Sequence, residues 1–161
     1  MQNKKTTYTV EEAKKRLARY CVYQDRCHKE IEQKLYEMRM IPEACELIIL
    51  YLIEHNFLNE ERFSKSFARG KFRIKHWGKQ RIVRELKQKE ISDYNIKVAL
   101  QEIEPQDYLD TLHEITKKRY DTTLEKNIFK KKKKVIDFLF RKGYESNLIY
   151  ETINQVAAND K

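Results

Sequence analysis

A row of cationic side chains in the middle of the chain is the feature most suggestive of chemistry. Arg62, Lys65, Arg69 and Arg73 recur at spacings of three and four residues, and His76 continues the series. An α-helix turns about 100° per residue and therefore places these side chains within about 80° of one another. A row of one sign suits a linear polyanion or an acidic groove. The pattern predicts a binding surface, with an ordinary solvated helix face as the alternative.

Further basic clusters follow this row along the chain. One begins just after Gly78, another follows Ile115, and the densest is the run Lys130–Lys134. Helical winding spreads that run around its helix, so it attracts anions strongly but without specificity. The further candidate contact residues for a polyanionic partner are Lys79, Arg81, Arg84, Lys117, Lys118, Arg119, Lys131 and Lys132.

The sequence offers little for catalysis. Its four histidines have no metal-ligand spacing such as HExxH, and GxSxG, P-loop and GxGxxG motifs are missing. Acidic pairs such as Glu60 and Glu61 suit the start of a helix, where negative charge complements the dipole. We therefore expect no enzyme, no catalytic residue, no metal site and no cofactor.

The composition favours a helical protein with a basic surface. Of the 161 residues, 40% are hydrophobic and 37% are charged, and the net charge is +9. Three Gly and two Pro are too few for the many turns of an all-β fold. A basic excess of this size favours a polyanionic or acidic partner. A lysine-rich surface that only aids solubility is the plain alternative.

Several features predict a cytoplasmic protein without a membrane anchor. The first ten residues, MQNKKTTYTV, contain no apolar core of a signal peptide. The longest apolar run, Leu47 to Ile53, is far too short to cross a bilayer. Cys21, Cys27 and Cys45 are odd in number and lack CxxC spacing, which indicates free thiols in a reducing compartment.

Capping signals divide the chain into helices. Asn59 is a favourable N-cap, and we expect Leu58 and Phe63 on either side of it to form a hydrophobic staple. Asp25 is expected to cap the second helix. Residues 121–129 have an irregular pattern and are expected to form a loop or a broken helix. Other boundary signals are Thr9, Pro42, Gly78, Ser92, Pro105 and, at a helix end, Gly143.

An internal repeat organises these helices. When Leu35, Leu86 and Leu139 are placed in register, the positions at −4, +5, +10, +14 and +17 are apolar or cysteine in all three copies. These offsets describe a helix, a tight turn and a second helix, and a capped segment before each pair supplies a third. The period is about fifty residues. The sequence therefore predicts an all-α fold, an elongated and curved tandem array of three three-helix repeats.

Phe72 lies on the basic side of its helix. It either stacks on a base or packs between repeats, and packing is the commoner use of an aromatic side chain.

The register also predicts how the chain is divided. The predicted divisions are a disordered N-terminal tail at 1–8, three-helix repeats at 9–56, 57–104 and 105–157, and a C-terminal tail at 158–161.

Two stretches of the middle repeat resemble a known family. FLNEERFSKSFARGKFR, followed by GKQRIVRELKQKEI, is similar to the central module of the RecX family, regulators of the RecA recombinase. The first repeat adds LARYCVYQDRCHKEIEQKL and the last adds VIDFLFRKGY, so the resemblance covers nearly the whole chain. The two central stretches together are moderately specific, whereas either one alone is weak.

The resemblance implies a modular helical array that binds inside the groove of a RecA–DNA filament and usually inhibits it, in DNA repair, recombination and the SOS response. It implies no catalytic residue. We expect a monomer that binds single- or double-stranded DNA only weakly and in a salt-dependent way. By position, the family motif maps onto the contact residues Arg62, Arg69 and Arg81, the structural residues Phe63, Phe67 and Leu86, and Asn59, Glu60, Gly78 and Glu85.

The chain departs from the family pattern at two turns. Arg39 and Glu90 stand where the family commonly has Gly, and only Gly143 keeps it. Because glycine adopts left-handed backbone angles most readily, we expect the first two turns to differ in geometry from the third.

Two other functions compete with filament regulation. Three-helix units also act as helix-turn-helix readers of DNA or RNA. The helix after Ser92 begins SDYNIK, however, and Asp93 is poorly placed beside phosphates. A scaffold whose charge only aids solubility is the third possibility.

Overall fold

The computed structural model describes residues 7–160. Most of the predicted N-terminal tail and the last residue of the predicted C-terminal tail lie outside these residues. Within them the chain forms nine α-helices and no strand. The helices are α1 (Val10–Tyr23), α2 (His28–Glu37), α3 (Pro42–Glu54), α4 (Glu60–Lys75), α5 (Lys79–Gln88), α6 (Asp93–Leu100), α7 (Pro105–Thr122), α8 (Ile128–Lys142) and α9 (Ser146–Ala158).

The helices associate in consecutive triplets. Among the described residues, the extensive helix–helix contacts fall within α1–α3, α4–α6 and α7–α9, which we name repeat 1, repeat 2 and repeat 3. The predicted all-α array of helical repeats is confirmed. The division points at residues 56/57 and 104/105 stay predictions.

Local signals fix most helix starts. The side chains of Thr9, Asn59 and Ser92 accept hydrogen bonds from the backbone N–H three residues later, at 3.1, 2.9 and 3.2 Å. Pro42 and Pro105 occupy first helical positions, where the missing N–H has no cost. Helix α7 ends at Thr122 and α8 begins at Ile128, so the irregular segment is a short loop.

Two of the expected capping devices do not form. Asp25 does not cap α2, because Cys27 is the N-cap residue and makes no side-chain hydrogen bond. The Asp25 carboxylate instead pairs with Arg62 of α4, at 2.8 Å. Leu58 and Phe63 do not form a staple, because they are buried in different hydrophobic cores. Asp25 is thus used in a contact between repeats 1 and 2 and not within repeat 1.

The turns after α2, α5 and α8 have the same geometry. Arg39, Glu90 and Gly143 all have positive φ angles, of 58°, 61° and 99°. In each turn the next residue's N–H donates to a carbonyl five residues earlier, at 3.1, 3.1 and 3.2 Å. This hydrogen bond is the mark of a Schellman turn. The expectation that the first two turns differ was therefore wrong.

The reason lies in what each turn buries. The residue after the left-handed position is apolar in all three repeats, and it is buried in two of them, Ile91 and Tyr144. Burial of that side chain and the hydrogen bond beneath it offset a left-handed residue that has a Cβ, which costs roughly 1–2 kcal/mol. Packing thus overrides the local preference for glycine.

Two hydrophobic cores run through the part of the chain that the structure describes. One lies within repeat 1 and is built around Leu17, Leu35 and Ile48. The other is continuous across repeats 2 and 3 and also takes in Cys27 from repeat 1. Phe72 belongs to the shared core, with its ring centroid 5.9 Å from that of Tyr108. It packs between repeats 2 and 3, as predicted.

Candidate functional site

The cationic row on α4 is largely paired with carboxylates. Arg62 bonds Asp25 through Nε at 2.8 Å, and its Nη2 donates to the backbone carbonyls of Asn56 and Phe57, at 3.1 and 3.0 Å. These bonds fix the guanidinium between the α1–α2 loop of repeat 1 and the start of α4. Arg62 is therefore placed as a link between repeats 1 and 2.

The other members of the row differ from one another. Lys65 pairs with Glu61 of its own helix at 3.1 Å, and Arg69 pairs with Glu102, beyond α6, at 3.4 Å. Arg73 is exposed and has no ion pair among residues 7–160. The row therefore lies in a face of mixed charge, which its spacing within one helix does not reveal.

The cations after Gly78 lie against aromatic rings. The Arg81 guanidinium carbon is 4.1 Å from the Trp77 ring centroid, and its Nη1 donates to the Arg141 carbonyl at 3.1 Å. Lys79 Nζ lies 4.8 Å from the Tyr108 ring centroid. Arg84 is exposed. This group spans repeats 2 and 3, because Tyr108 and Arg141 belong to repeat 3.

The last group of candidates lies on repeat 3. Lys117 and Lys118 are exposed on α7. The Arg119 guanidinium carbon lies 4.4 Å from the Phe138 ring centroid, and Lys131 Nζ lies 4.0 Å from that of Tyr120. Lys132 is half-buried. Their role as contacts to a partner stays a prediction from the sequence.

Cations from three helices converge where repeats 2 and 3 meet. Lys71 Nζ lies 5.0 Å from the ring centroid of Trp77, the same ring that Arg81 contacts. Lys142 Nζ donates to the Lys75 carbonyl at 2.8 Å. Burial lowers the pKa of Lys142, and the positive charges of Arg81 and Lys75 lower it further. We name five residues the joint cations. They are Lys71, Lys75, Arg81 and Lys142, together with Arg141, whose carbonyl accepts the Arg81 hydrogen bond and whose side chain lines a cleft beside Asp137 on repeat 3.

Within residues 7–160 none of the five joint cations forms an ion pair. They come from α4, α5 and α8, so no single stretch of sequence reveals the cluster. The only hint is the sole tryptophan of the chain, Trp77, set among basic residues at a helix break.

Backbone contacts hold this region together. The Gly78 N–H donates to the Lys142 carbonyl at 2.7 Å, and the Gln80 N–H donates to the Gly143 carbonyl at 3.0 Å. A Cβ on Gly78 would lie 2.3 Å from the Gly143 carbonyl carbon. Two non-bonded carbon atoms cannot approach so closely. Glycine at position 78 is therefore required by the approach of repeat 3.

Two buried tyrosines complete the same contact. The Tyr108 hydroxyl accepts the Lys79 N–H at 3.0 Å and donates to a Glu145 carboxylate oxygen at 2.8 Å. The Tyr144 hydroxyl donates to the His76 carbonyl at 2.8 Å. Burial raises the pKa of both hydroxyls, so they stay protonated donors. The charged groups at the joint are thus held on rigid elements.

Three further properties of the described residues limit what chemistry they can carry out. Burial raises the pKa of Cys21 and of Cys27 to about 11, so these free thiols are poor nucleophiles near neutral pH. Residues 7–160 contain no cluster of three or more metal-ligating side chains. No helix in this part of the chain is long and apolar enough to span a membrane.

Models of known protein families match most of repeats 2 and 3. The model described as the second three-helix domain of RecX matches residues 59–100, and the model of its third three-helix domain matches residues 106–153. The matches coincide with the helices that carry the joint cations.

Individual proteins and structures agree with the family models. A regulatory protein RecX of Salmonella heidelberg is 30% identical over 154 residues, which cover 89% of this chain and 89% of that protein. One of Clostridium perfringens is 26% identical over 134 residues, which cover 82% of this chain but 62% of the relative.

Solved structures share the fold. The crystal structure of RecX from Lactobacillus salivarius matches with a TM-score of 0.81 at 21% identity, covering 92% of this chain and 97% of that one. A second crystal structure of regulatory protein RecX matches with a TM-score of 0.81 at 25% identity, covering 91% and 73%. The chain therefore belongs to the RecX family of regulatory proteins.

Proposed function

We propose that this protein binds the filament that the RecA recombinase forms on DNA, and that it lowers ATP hydrolysis and strand exchange by that filament without catalysis of its own. Family membership supports a regulatory role, because the matched relatives are named regulatory protein RecX. The array of three-helix repeats supports an extended contact, since solenoid repeats present long binding surfaces.

The observation that carries the proposal is the convergence of the joint cations. Five positive charges that form no ion pair within residues 7–160 lie at or beside the backbone-locked contact between repeats 2 and 3. A filament of protein on DNA presents phosphates along a helical groove, and a fixed cluster of cations suits such a polyanion. Arg73, Arg84, Lys117 and Lys118 are exposed and are the additional contact residues in this proposal.

The paired cations have a different role in this proposal. Arg62 and Arg69 already bond Asp25 and Glu102. A partner that engaged them would first have to compete with these carboxylates. They position α4 relative to its neighbours. The joint cations and the additional contact residues bind the filament.

Charge reversal tests this assignment. The double variant Lys75→Glu/Arg141→Glu changes two exposed side chains that make no hydrogen bond or ion pair among residues 7–160. We expect its affinity for RecA on single-stranded DNA to fall by more than about tenfold, because like charges across an interface are strongly unfavourable. Strand exchange by RecA should then continue in its presence.

The matched control is Lys15→Glu/Arg19→Glu on α1. Both residues are exposed, and the change in net charge is the same. We expect filament binding close to wild type, with unchanged circular dichroism for both variants. Equal loss of binding in the two variants would attribute the effect to net charge and remove the assigned surface.

Salt dependence separates filament regulation from plain nucleic-acid binding. Direct phosphate contact weakens steeply with salt, with a slope that grows by roughly one per contact. We expect filament binding to persist at a salt concentration that abolishes binding to naked DNA. Identical salt dependence for both would favour a free-standing nucleic-acid-binding protein.

A further inference from the structure

Helix α4 carries an apolar stripe that the rest of the molecule covers only in part. Phe63, Phe67, Gly70 and Ile74 recur at spacings of four, three and four residues, which places them on one face of the helix. Asp25 and the residue before it lie over the first half of this stripe. Phe63 is only 4% exposed, whereas Ile74 is 75% exposed. The second half of the stripe therefore faces outward.

Gly70 at the centre of this stripe has no structural reason to be glycine. A Cβ built at this position would meet no atom within 4 Å. Glycine inside a helix costs about 1 kcal/mol relative to alanine, and Gly70 lies well inside α4. Nothing within residues 7–160 requires position 70 to lack a side chain. A close approach by another molecule would require it, because glycine lets a partner lie against the helix backbone.

A cleft of about 210 Å³ opens at this place. Phe63 and Phe67 form its floor, and Gly70, Lys71, Ile74 and Lys75 form one wall. The volume lies below the range of roughly 300–1,000 Å³ that is usual for cofactor and small-molecule sites. It suits one apolar side chain of a larger partner. Tyr23, next in the chain to Gln24 of the cleft lining, is 85% exposed.

The charges around the cleft favour an acidic occupant. Lys71 and Lys75 line it, and both are joint cations without ion pairs among residues 7–160. The one carboxylate in the lining, Asp25, is already bonded to Arg62 at 2.8 Å. An occupant therefore meets an apolar floor with uncompensated positive charge beside it.

The aromatic floor is poorly suited to nucleic-acid bases. The Phe67 ring is 5.8 Å from the Phe63 ring and 6.2 Å from the Trp77 ring, measured between centroids. Lys71 Nζ lies 5.5 Å from the centroid of the same ring. Base stacking requires a free aromatic face, and the surroundings of Phe67 are already occupied. An apolar protein side chain needs only the floor and the walls.

We propose that this cleft binds a segment of the partner protein that carries an apolar anchor side chain next to acidic residues. The proposal rests on the proposed function, since the partner protein is the recombinase of the filament. The anchor lies against Gly70 between Phe67 and Ile74, and the carboxylates face Lys71 and Lys75. The joint cations beyond the cleft are left for DNA phosphates, so the cleft is the protein-binding part of the surface.

Filling the cleft tests the proposal. Gly70→Leu adds an apolar side chain at the open position, and leucine is a strong helix former. We expect the thermal midpoint to equal or exceed that of the wild type, while affinity for RecA on single-stranded DNA falls by more than about tenfold. Affinity for naked single-stranded DNA should stay unchanged. Asn154→Leu, at an exposed position of α9, is the matched control and should bind like the wild type.

Each result has a defined meaning. Wild-type filament affinity in Gly70→Leu overturns the cleft as a docking site and leaves the proposed function intact. An equal loss of affinity for naked DNA identifies nucleic acid as the occupant and also overturns the proposal. A wild-type protein that does not bind the filament removes the proposed function and this inference with it.

A photocrosslinker gives a second, independent readout. Benzoylphenylalanine in place of Ile74 would sit at the open end of the stripe. We expect a crosslink to the recombinase, at a segment in which an apolar residue adjoins aspartate or glutamate. Crosslinks to DNA alone would contradict the assignment.

Discussion

The two contacts between successive repeats occupy equivalent positions in the repeat register but differ in their chemistry. Repeats 2 and 3 meet backbone to backbone through Gly78 and Gly143 and share one hydrophobic core. We name this the second joint. In the first joint, between repeats 1 and 2, Cys27 takes the register position of Gly78 and Glu90 that of Gly143.

Long polar side chains make up much of the first joint. Lys29 Nζ donates to the Gln88 carbonyl at 2.8 Å, and Lys89 Nζ lies 3.8 Å from Glu30. Arg62 pairs with Asp25 on another part of the same contact. A cleft of about 420 Å³ remains between the two repeats, lined by both lysines and by Cys27. Half-exposed ion pairs of this kind contribute little to stability.

The difference shows what one Cβ atom does to a repeat array. Two glycines let backbones touch, and the core then continues from repeat 2 into repeat 3. The first joint has side chains at the same two positions, and there a cleft crossed by polar contacts separates the repeats. We therefore expect repeats 2 and 3 to unfold as one unit and repeat 1 to be attached more loosely.

The largest expected effect comes from Gly78→Ala. The new methyl group would overlap the Gly143 backbone at 2.3 Å, and the backbone cannot yield without loss of the hydrogen bonds across the second joint. We expect the free energy of unfolding to fall by about 3 kcal/mol, at the upper end of overpacking costs. Urea unfolding followed by circular dichroism measures the change.

Gly70→Ala is the matched control, because the same substitution there meets no atom within 4 Å. It should raise the free energy of unfolding by about 1 kcal/mol through helix propensity. Changes of the same sign in the two variants would contradict the packing assigned to the second joint.

A smaller and more local effect is expected for Arg62→Gln. The substitution removes the ion pair with Asp25 and leaves two carbonyls with a weaker donor. The expected cost is about 1–2 kcal/mol after allowance for solvent screening. Hydrogen exchange should quicken in repeat 1 and at the first joint, with little change in repeats 2 and 3. Uniform quickening across all three repeats would show that the first joint is not a separate unit.

Glu90→Gly should stabilise the protein by about 1 kcal/mol, because Glu90 has a φ of 61° and glycine relieves that strain. The variant would have the same residue at the left-handed position as the turn at Gly143. Lys89→Gly, one residue earlier and at a negative φ of −85°, should destabilise instead. Differential scanning calorimetry distinguishes the two. A loss of stability in Glu90→Gly would mean that its side chain contributes to the first joint.

The smallest expected effect is a pH dependence from Cys27, which is buried in the first joint. Burial raises its pKa from 9.0 to about 11, so the folded state holds its proton where the unfolded state has lost it. This contribution to stability is fully present below pH 9.0 and is lost as the pH rises towards 11. At pH 9.5 the loss is below about 1 kcal/mol. Cys27→Ala should show a shallower decline in its urea midpoint between pH 8 and pH 9.5 than the wild type, and an unchanged decline would contradict the assignment.

Much of the fold follows from local signals in the sequence. The caps at Thr9, Asn59 and Ser92, the first-turn prolines and the apolar register all act within one or two helical turns, and each is found where it was predicted. The turn geometry at Arg39 and Glu90 could not be predicted from residue type, because a buried neighbour and a backbone hydrogen bond outweigh the preference for glycine.

The candidate site was less predictable because its partners are distant in sequence. Asp25 is 37 residues from Arg62, and no local pattern distinguishes an N-cap from an acid that pairs with another repeat. The joint cations are brought together by Gly78 and Gly143, whose contact depends on the angle between two repeats. The sequence indicates that the surface is basic, whereas the structure indicates which cations are free.

Hydrolysis of ATP by RecA on single-stranded DNA tests the central proposal most directly. Wild-type protein added at a stoichiometric ratio should lower the steady-state rate, and Lys75→Glu/Arg141→Glu should leave it near the rate of RecA alone. An unchanged rate with the folded wild-type protein, at a salt concentration where RecA filaments are stable, would contradict the proposed regulation of the filament.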